Sequence, residues 1–534
     1  QLPDGIETVL DGNTAVAIAE AAIADSAALN GNGANTAWQA EQQRNQKNMF
    51  GSQLGSVDTE SGRGALAAAI GLSLSGQRST AFLDSQALAG AQDLLVNAAG
   101  RHLPLVVHLT NRALASQGAA LGTGHETLHL SSESGCFVLH AMNVQQAVDF
   151  TLIARRVAEQ SLIPGIVVMD GEQTAMAAQE VKLPSPQLAS KFIGGSDETI
   201  EVASSAHKLL FGESRRRVPK WHDLDKPVLS GALQGSESFA LGQAAQAPFF
   251  AAALSEILNE AFAEFARLTG RHYNAITQHN VEKSKLLMVA QGAAIETAMA
   301  VSDALRKQHK VKVGVVGLHG LRPLPGAQLV ELLRGKRAVT VLERSDSPLA
   351  SDGPLMRELR ANLYPLSNAE RPHLISTIYG IGGLPLRAAD LIALGKSMGE
   401  NSAPRRYLGL DFHRASSIQP KRQVMLDTLR RNYPEVAELG LRSKGPAAAP
   451  SKDELSVAIH HLAGEPGEAL AVEAASFLHQ LLGGAVRSRP AMSWERWGVA
   501  RVDRFSHSLE PLLDGGDEVM ANVAILSGDA NHPN

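Results

Sequence analysis

Residues 79–110, STAFLDSQALAGAQDLLVNAAGRHLPLVVHLT, decide the fold. Ser79–Leu83 reads as a short buried strand, Gln86–Ala99 as a helix and Pro104–Thr110 as a second apolar strand. The rhythm continues outward. A helix runs from Gly64 through Gly71, a strand covers Phe137–Ala141, a helix covers Val144–Gln160, and a strand at Gly165–Met169 ends on Asp170-Gly171. Alternation of helices with short apolar strands implies a parallel sheet covered on both faces. Further upstream, residues 14–29 read as an Ala-rich helix with Asn13 or Thr14 as its cap, and Asn30–Asn45 as a polar, Gly/Asn-rich loop.

The remaining chain divides by pattern. Residues 1–182 form the first domain, and 183–282 lose the alternation and read as a connector with a long helix at Phe249–Leu268. Alternation resumes over 283–400 as a second, smaller α/β domain. Residues 401–453 read as a linker, its clearest stretch being the Pro/Ala/Lys run at 441–453, and 454–534 as a third α/β domain that stops partway. The natural polypeptide or assembly is therefore expected to continue past Asn534.

The composition of the 534 residues, with net charge -5 and 44% hydrophobic residues, is that of a globular protein and gives no pointer to nucleic acid. The basic run Arg215-Arg216-Arg217 reads as a solvated loop. The single cysteine, Cys136, excludes a disulfide framework and a Cys-ligated iron–sulfur cluster within these residues, and reads as a small buried hydrophobe. No apolar run reaches the roughly 18 residues that span a bilayer, and the N-terminus has no signal-peptide pattern; the expected location is cytoplasmic.

Four local patterns bear on chemistry. His125-Glu126-Thr127-Leu128-His129 matches H-E-x-x-H, which on a helix sets two imidazoles on one face for zinc with the glutamate as base. Here the match follows a Gly-rich loop and no third ligand is evident, so a zinc hydrolase is only a third reading. Gly31-Asn32-Gly33 follows a helix, the wrong context for a dinucleotide loop; Gly464-Glu465-Pro466-Gly467 sits between a strand and a helix, but its acidic residues and proline favour a plain turn. Arg112 lies just past an apolar strand, where ligands of parallel sheets gather; it suits a carboxylate, or equally a salt bridge to Asp84 or Glu60.

Several stretches together resemble the pyruvate:ferredoxin (flavodoxin) oxidoreductase family, in order and spacing. These are Asp11-Gly12-Asn13-Thr14-Ala15, Lys47-Asn48-Met49-Phe50-Gly51, Ser85-Gln86, Arg112-Ala113-Leu114-Ala115, Gly124-His125 with Gly135, and Asp170-Gly171 with Thr174. Further along come Leu268-Thr269-Gly270-Arg271 with Tyr273, Leu321-Arg322-Pro323, Leu342-Glu343-Arg344 and Tyr379-Gly380-Ile381-Gly382. The resemblance implies a thiamine-pyrimidine-binding parallel-sheet domain, a transketolase-C-terminal-like α/β domain and a partial γ-type α/β domain. It implies oxidative decarboxylation of a 2-oxo acid on thiamine diphosphate, with electrons passed through iron–sulfur clusters to ferredoxin or flavodoxin. The diphosphate and Mg²⁺ would lie at a partner interface, since the cluster and diphosphate-binding domains or subunits are expected elsewhere, in an oligomer. Ser527-Gly528-Asp529 is not a diphosphate motif. The resemblance gives Arg112 the substrate carboxylate, Ser85 and Gln86 a cofactor-binding place, and His125–His129 a loop that is no zinc site.

Two departures from the family matter. Its Y-P-I-T-P-S-S loop is replaced by Asn30–Thr36, so Thr36 can serve the substrate only if the loop repositions it. Its S-E-A-G-A glutamate, which activates the thiamine pyrimidine, falls in register on Gly62 of Ser61-Gly62-Arg63-Gly64-Ala65. Glu60 and Asp58 are the nearby carboxylates, and Arg63 adds an unfavourable positive charge. The favoured expectation is a subunit or N-terminal portion of a 2-oxoacid oxidoreductase-type complex whose thiamine chemistry has degenerated and whose role is assembly. The alternative is an active component using Glu60 or Asp58 as surrogate acid.

Overall fold

The computed structural model describes residues 2, 5–31, 33–222, 233–399, 402–445, 450, 452–462, 467–490, 500–512 and 519–526. The loop motif at 464–467 lies outside them except for Gly467, as does Ser527-Gly528-Asp529. The chain forms two compact units: Gln1–Arg112 with Thr127–Ala275 and His319–Leu324, and Ala113–Glu126 with Ile276–Leu318 and Pro325–Asn534.

The first unit opens with β1 (Glu7–Leu10), α1 (Gly12–Ile23), β2 (Ser26–Leu29), α2 (Gly33–Asn45), β3 (Gly55–Asp58) and α3 (Gly62–Leu74). It continues with β4 (Ser79–Asp84), α4 (Ser85–Ala89), α5 (Gln92–Gly100), β5 (Val106–Asn111), α6 (Glu126–Ser131), β6 (Phe137–His140), α7 (Val144–Ser161), β7 (Gly165–Asp170) and β8 (Gln179–Lys182). Its main sheet runs β6-β7-β5-β4-β2-β3, all parallel, with the short strand Gly320–Arg322 antiparallel on the β6 edge. Val106–Leu109 and Gly165–Asp170 are buried throughout, as central parallel strands should be. The D-G-N-T-A opening is explained by α1. Asp11 caps it through Thr14 N at 3.0 Å, and a Cβ on Gly12 would stand 2.6 Å from the Thr174 carbonyl oxygen.

Two expectations fail at the start of the chain. The Ala-rich run breaks after Ile23, and Ser26–Leu29 becomes a fully buried strand between β3 and β4. Alanine tolerates either state, so pairing and burial decide. The polar stretch read as a loop is helical from Gly33 to Asn45 and buries Trp38 and Glu41 on one side. The helix at residues 86–99 is interrupted at Gly90 and Ala91 to give α4 and α5.

Beyond β8, the helix Leu254–Thr269 packs on α7 and buries Ile257, Leu258, Phe262 and Phe265 in the same core as Trp38, Phe82 and Phe150. Residues read as a connector thus supply part of this core. The basic run is not a solvated loop: Ser214–Arg216 pairs antiparallel with Thr199–Glu201. Arg215 donates to the Glu159 and Gln160 carbonyls at 2.5 and 3.3 Å, satisfying the carboxyl end of α7, and burial pushes its pKa down to about 10. Two ion pairs lie fully inside this unit. Arg155 grips Glu20 at 2.9 and 3.0 Å, and Arg78 grips Glu159 at 2.5 and 2.9 Å. Cys136 is buried, in line with its reading as a small buried hydrophobe, and burial pushes its thiol up to about 12.

The second unit holds a seven-stranded sheet from Ile276–His279 to Gly440–Leu441, in which Leu286–Gln291, Val313–Leu318, Ala338–Glu343 and His373–Ile378 form the parallel centre. Arg405–Leu408 and Gly440–Leu441 extend it, joined by the helix Pro420–Asn432, so the segment read as linker adds to this sheet. Farther on, Glu454–Leu462 pairs antiparallel with Ala500–Ser508, which pairs with Ala485–Arg489, beside the helix Gly467–Leu482. Among the described residues, no helix is long and apolar enough to cross a membrane.

Candidate functional site at the carboxyl ends of the parallel strands

All six residues singled out in the sequence fall at the carboxyl ends of β2, β3, β4 and β5, neighbours in the order β5-β4-β2-β3. That is where loops of a parallel sheet meet ligands. Arg112 directly follows β5, and its backbone N–H donates to Ser85 Oγ at 2.9 Å. Ser85 is buried at the start of α4, and its carbonyl accepts from Thr127 Oγ1 at 3.2 Å. Asp84 caps α4 through Ala87 N at 2.9 Å, which leaves Gln86 exposed in the first turn.

On the other side of β2, Thr36 is exposed in the first turns of α2, whose Asn35 donates to Asn30 Oδ1 at 2.7 Å. Asp58 ends β3, exposed, and accepts from Gln39 Nε2 at 3.3 Å. Glu60 is exposed in the turn to α3; the preceding Thr59 is bound twice to the Leu29 carbonyl, from its N–H and its hydroxyl, each at 2.8 Å. Strands lie about 4.8 Å apart, so the ends of β5 and β3 are separated by roughly 14 Å. Arg112 and Glu60 therefore occupy opposite ends of the row.

Gly62 begins α3 under the Ser61 cap, which accepts from Gly64 N at 3.1 Å. It is buried against α4. A Cβ placed on it would stand 2.2 Å from Ala87 Cβ, 3.0 Å from Ala87 Cα and 3.2 Å from Asn30 Nδ2. No side chain fits there with this backbone, so the position that the resemblance aligns with the family's glutamate is closed by α4. Arg63 points elsewhere: it pairs with Asp93 at 2.5 and 2.7 Å and donates to the Gly90 carbonyl at 3.2 Å. Its charge is thus engaged at the surface.

Sequence reasoning missed a buried polar cluster one strand further along. Asn111, His140 and Asp170 end β5, β6 and β7, each fully buried. Asp170 Oδ1 lies 3.1 Å from His140 Nε2 and 3.4 Å from Asn111 Nδ2. Behind it, His319 Nδ1 meets the His140 carbonyl at 3.1 Å, and burial lowers the His319 pKa to about 4, so this ring stays neutral and donates from Nδ1. The available signal was a histidine or asparagine closing an otherwise apolar strand. After β7 a π-turn, Gly171–Ala175, carries Thr174; such turns recur at functional sites. As for H-E-x-x-H, His125 precedes the six-residue helix α6, which starts at Glu126. The two imidazoles thus do not share one helix, as the zinc motif requires.

A family model described as pyruvate flavodoxin/ferredoxin oxidoreductase, thiamine diphosphate-binding, matches residues 37–237, and pyruvate:ferredoxin oxidoreductase core domain II matches 284–391. The chain is 28% identical over 359 residues to pyruvate synthase subunit PorA of Thermotoga maritima, covering 66% of this chain and 85% of that subunit. It is 29% identical over 345 residues to a probable pyruvate-flavodoxin oxidoreductase of Escherichia coli, covering 63% of this chain but 27% of that protein. In fold it is similar to a 2-oxoglutarate:ferredoxin oxidoreductase from Magnetococcus marinus, with a TM-score of 0.54 and 18% identity over 73% of this chain and 65% of that one.

Proposed function

Because this chain belongs to the pyruvate:ferredoxin (flavodoxin) oxidoreductase family, we propose that it serves as a component of a 2-oxoacid:acceptor oxidoreductase-type complex in which the thiamine-activating function has been lost and assembly retained. The observation that carries this reading is the packing of Gly62 on Ala87. A thiamine pyrimidine needs a carboxylic acid beside its ring nitrogen to favour the imino form that deprotonates the thiazolium, and loss of that acid removes a proton-transfer function. The residues at the head of α3 do not fit that task.

The diphosphate and Mg²⁺, the iron–sulfur clusters and the ferredoxin or flavodoxin acceptor belong, in this proposal, to partner chains or domains. A second reading, an active component, draws on Glu60: its carboxylate is exposed two residues before Gly62, at the strand ends where a bound ring would approach. Arg112 would then take the substrate carboxylate by a bidentate pair.

Calorimetry of the chain with its co-purifying partners, against thiamine diphosphate and Mg²⁺, separates the two, together with 2-oxo-acid-dependent dye reduction. The proposal expects weak or absent binding and no turnover. Tight binding with turnover that collapses in Glu60→Gln overturns it in favour of the active reading.

A further inference from the structure

The helix Pro420–Asn432 joins two parallel strands of the second unit, a place where a helix ordinarily buries an apolar stripe on the sheet. This one buries a single side chain, Leu426. It is nevertheless held in a fixed pose. Arg430 donates to the Phe412 carbonyl at 2.6 Å and to the Ala415 carbonyl, and Gln423 Oε1 accepts from Ser417 N at 2.9 Å.

Its outer face is unusual in two respects. Val424 is 64% exposed and Met425 57%, side by side, and Ile418 just before the helix is fully exposed. Around them stand Lys421, Arg422 and Arg431, none of which has an ion-pair or hydrogen-bond partner among the described residues. At 100° per residue, Lys421, Val424, Met425, Thr428 and Arg431 share one stripe. The charge is also local. Residues 405–444 hold nine Lys and Arg against four Asp and Glu, a net +5, while the whole chain is -5; the remainder therefore carries -10.

We infer that this face docks an acidic protein surface, with an apolar contact on Val424 and Met425 ringed by carboxylates that meet Lys421, Arg422 and Arg431. An apolar centre within a charged rim is the anatomy of a protein interface, and unpaired cations supply the complementarity that steers an acidic partner. A phosphate backbone would gain nothing from the apolar pair, and the stripe is too narrow for a helix lying in a membrane surface. The inference is independent of thiamine binding, so either can fail without the other.

The test uses the full chain and a fluorescent helical peptide with Leu and Phe at i, i+3 and i+4 spacing flanked by Glu. Poly-glutamate, phosphatidylserine vesicles and duplex DNA are the comparators. Anisotropy should show saturable peptide binding that weakens with salt, falls at least tenfold in Lys421→Glu/Arg431→Glu, and falls severalfold in Val424→Ser/Met425→Ser, with melting temperatures unchanged. In the assembly purified through this chain, carbodiimide should link Lys421 to a carboxylate of another chain. Binding of the charge-reversed variant within twofold of the unaltered chain overturns the inference. So do equal or tighter binding of any comparator, or Lys421 cross-links confined to its own chain.

Discussion

Replacing Gly62 with alanine is the smallest perturbation that probes the blocked position. The added Cβ would sit 2.2 Å from Ala87 Cβ, more than 1 Å inside ordinary contact, with Ala87 Cα and Asn30 Nδ2 also close at 3.0 and 3.2 Å. Overpacking of this kind costs about 1–3 kcal/mol, because α3 must shift against α4. Opposing it is the entropy that glycine loses on folding, worth roughly 0.4–1 kcal/mol in favour of alanine. The steric term wins, leaving a net loss of about 1–2 kcal/mol. For a domain of this size that lowers the first unit's melting transition by about 2–8 °C. Ala87→Gly should cost on the order of 1 kcal/mol alone through helix propensity, yet restore part of the stability when combined with Gly62→Ala. Differential scanning fluorimetry of the four proteins gives the coupling directly. A Gly62→Ala chain that melts within 1 °C of the unaltered chain, or a cycle that is simply additive, would refute the claim that α4 fills this place.

Three further outcomes follow from the buried charges and the outer helix. Glu20→Gln leaves Arg155 inside the core without its countercharge, and chemical denaturation should show a loss of about 3–5 kcal/mol. Burial opposes the charged form of Glu20, yet the Arg155 and His108 contacts hold its pKa below the ordinary value. Burial pushes Glu343 up to about 7 where it accepts from Leu355 and Met356 N–H groups at 2.7 and 3.3 Å. Since the folded state keeps this proton longer than the unfolded one, stability falls as pH rises from 4.5 through 7, by about 3 kcal/mol. The difference between the unaltered chain and Glu343→Gln should trace that slope, and a flat difference would contradict it. The Lys421→Glu/Arg431→Glu pair should leave the melting profile unaltered, because neither side chain holds the fold together.

The parallel sheet was legible because its central strands, 79–84, 106–111 and 165–170, are apolar runs bounded by polar turns. The row of strand-end residues followed from that reading. What local pattern could not show was decided by tertiary burial. Ser26–Leu29 is a strand because it sits between β3 and β4, and Gly33–Asn45 is a helix because Trp38 anchors it, despite a polar composition. The buried pairs Arg155–Glu20 and Arg78–Glu159 join residues 135 and 81 positions apart, so neither is visible in a window of sequence. His140 and Asn111 were hidden for a related reason: each closes an apolar strand, and only the alignment of β5, β6 and β7 brings them to Asp170.

Exchange of the thiamine diphosphate C2 proton, followed by NMR in deuterated buffer with the purified assembly, tests the proposed loss of pyrimidine activation most directly. The proposal expects an exchange rate that matches that of free thiamine diphosphate under the same conditions. Acceleration by orders of magnitude that disappears in Glu60→Gln would contradict the account and assign the activating proton transfer to this chain.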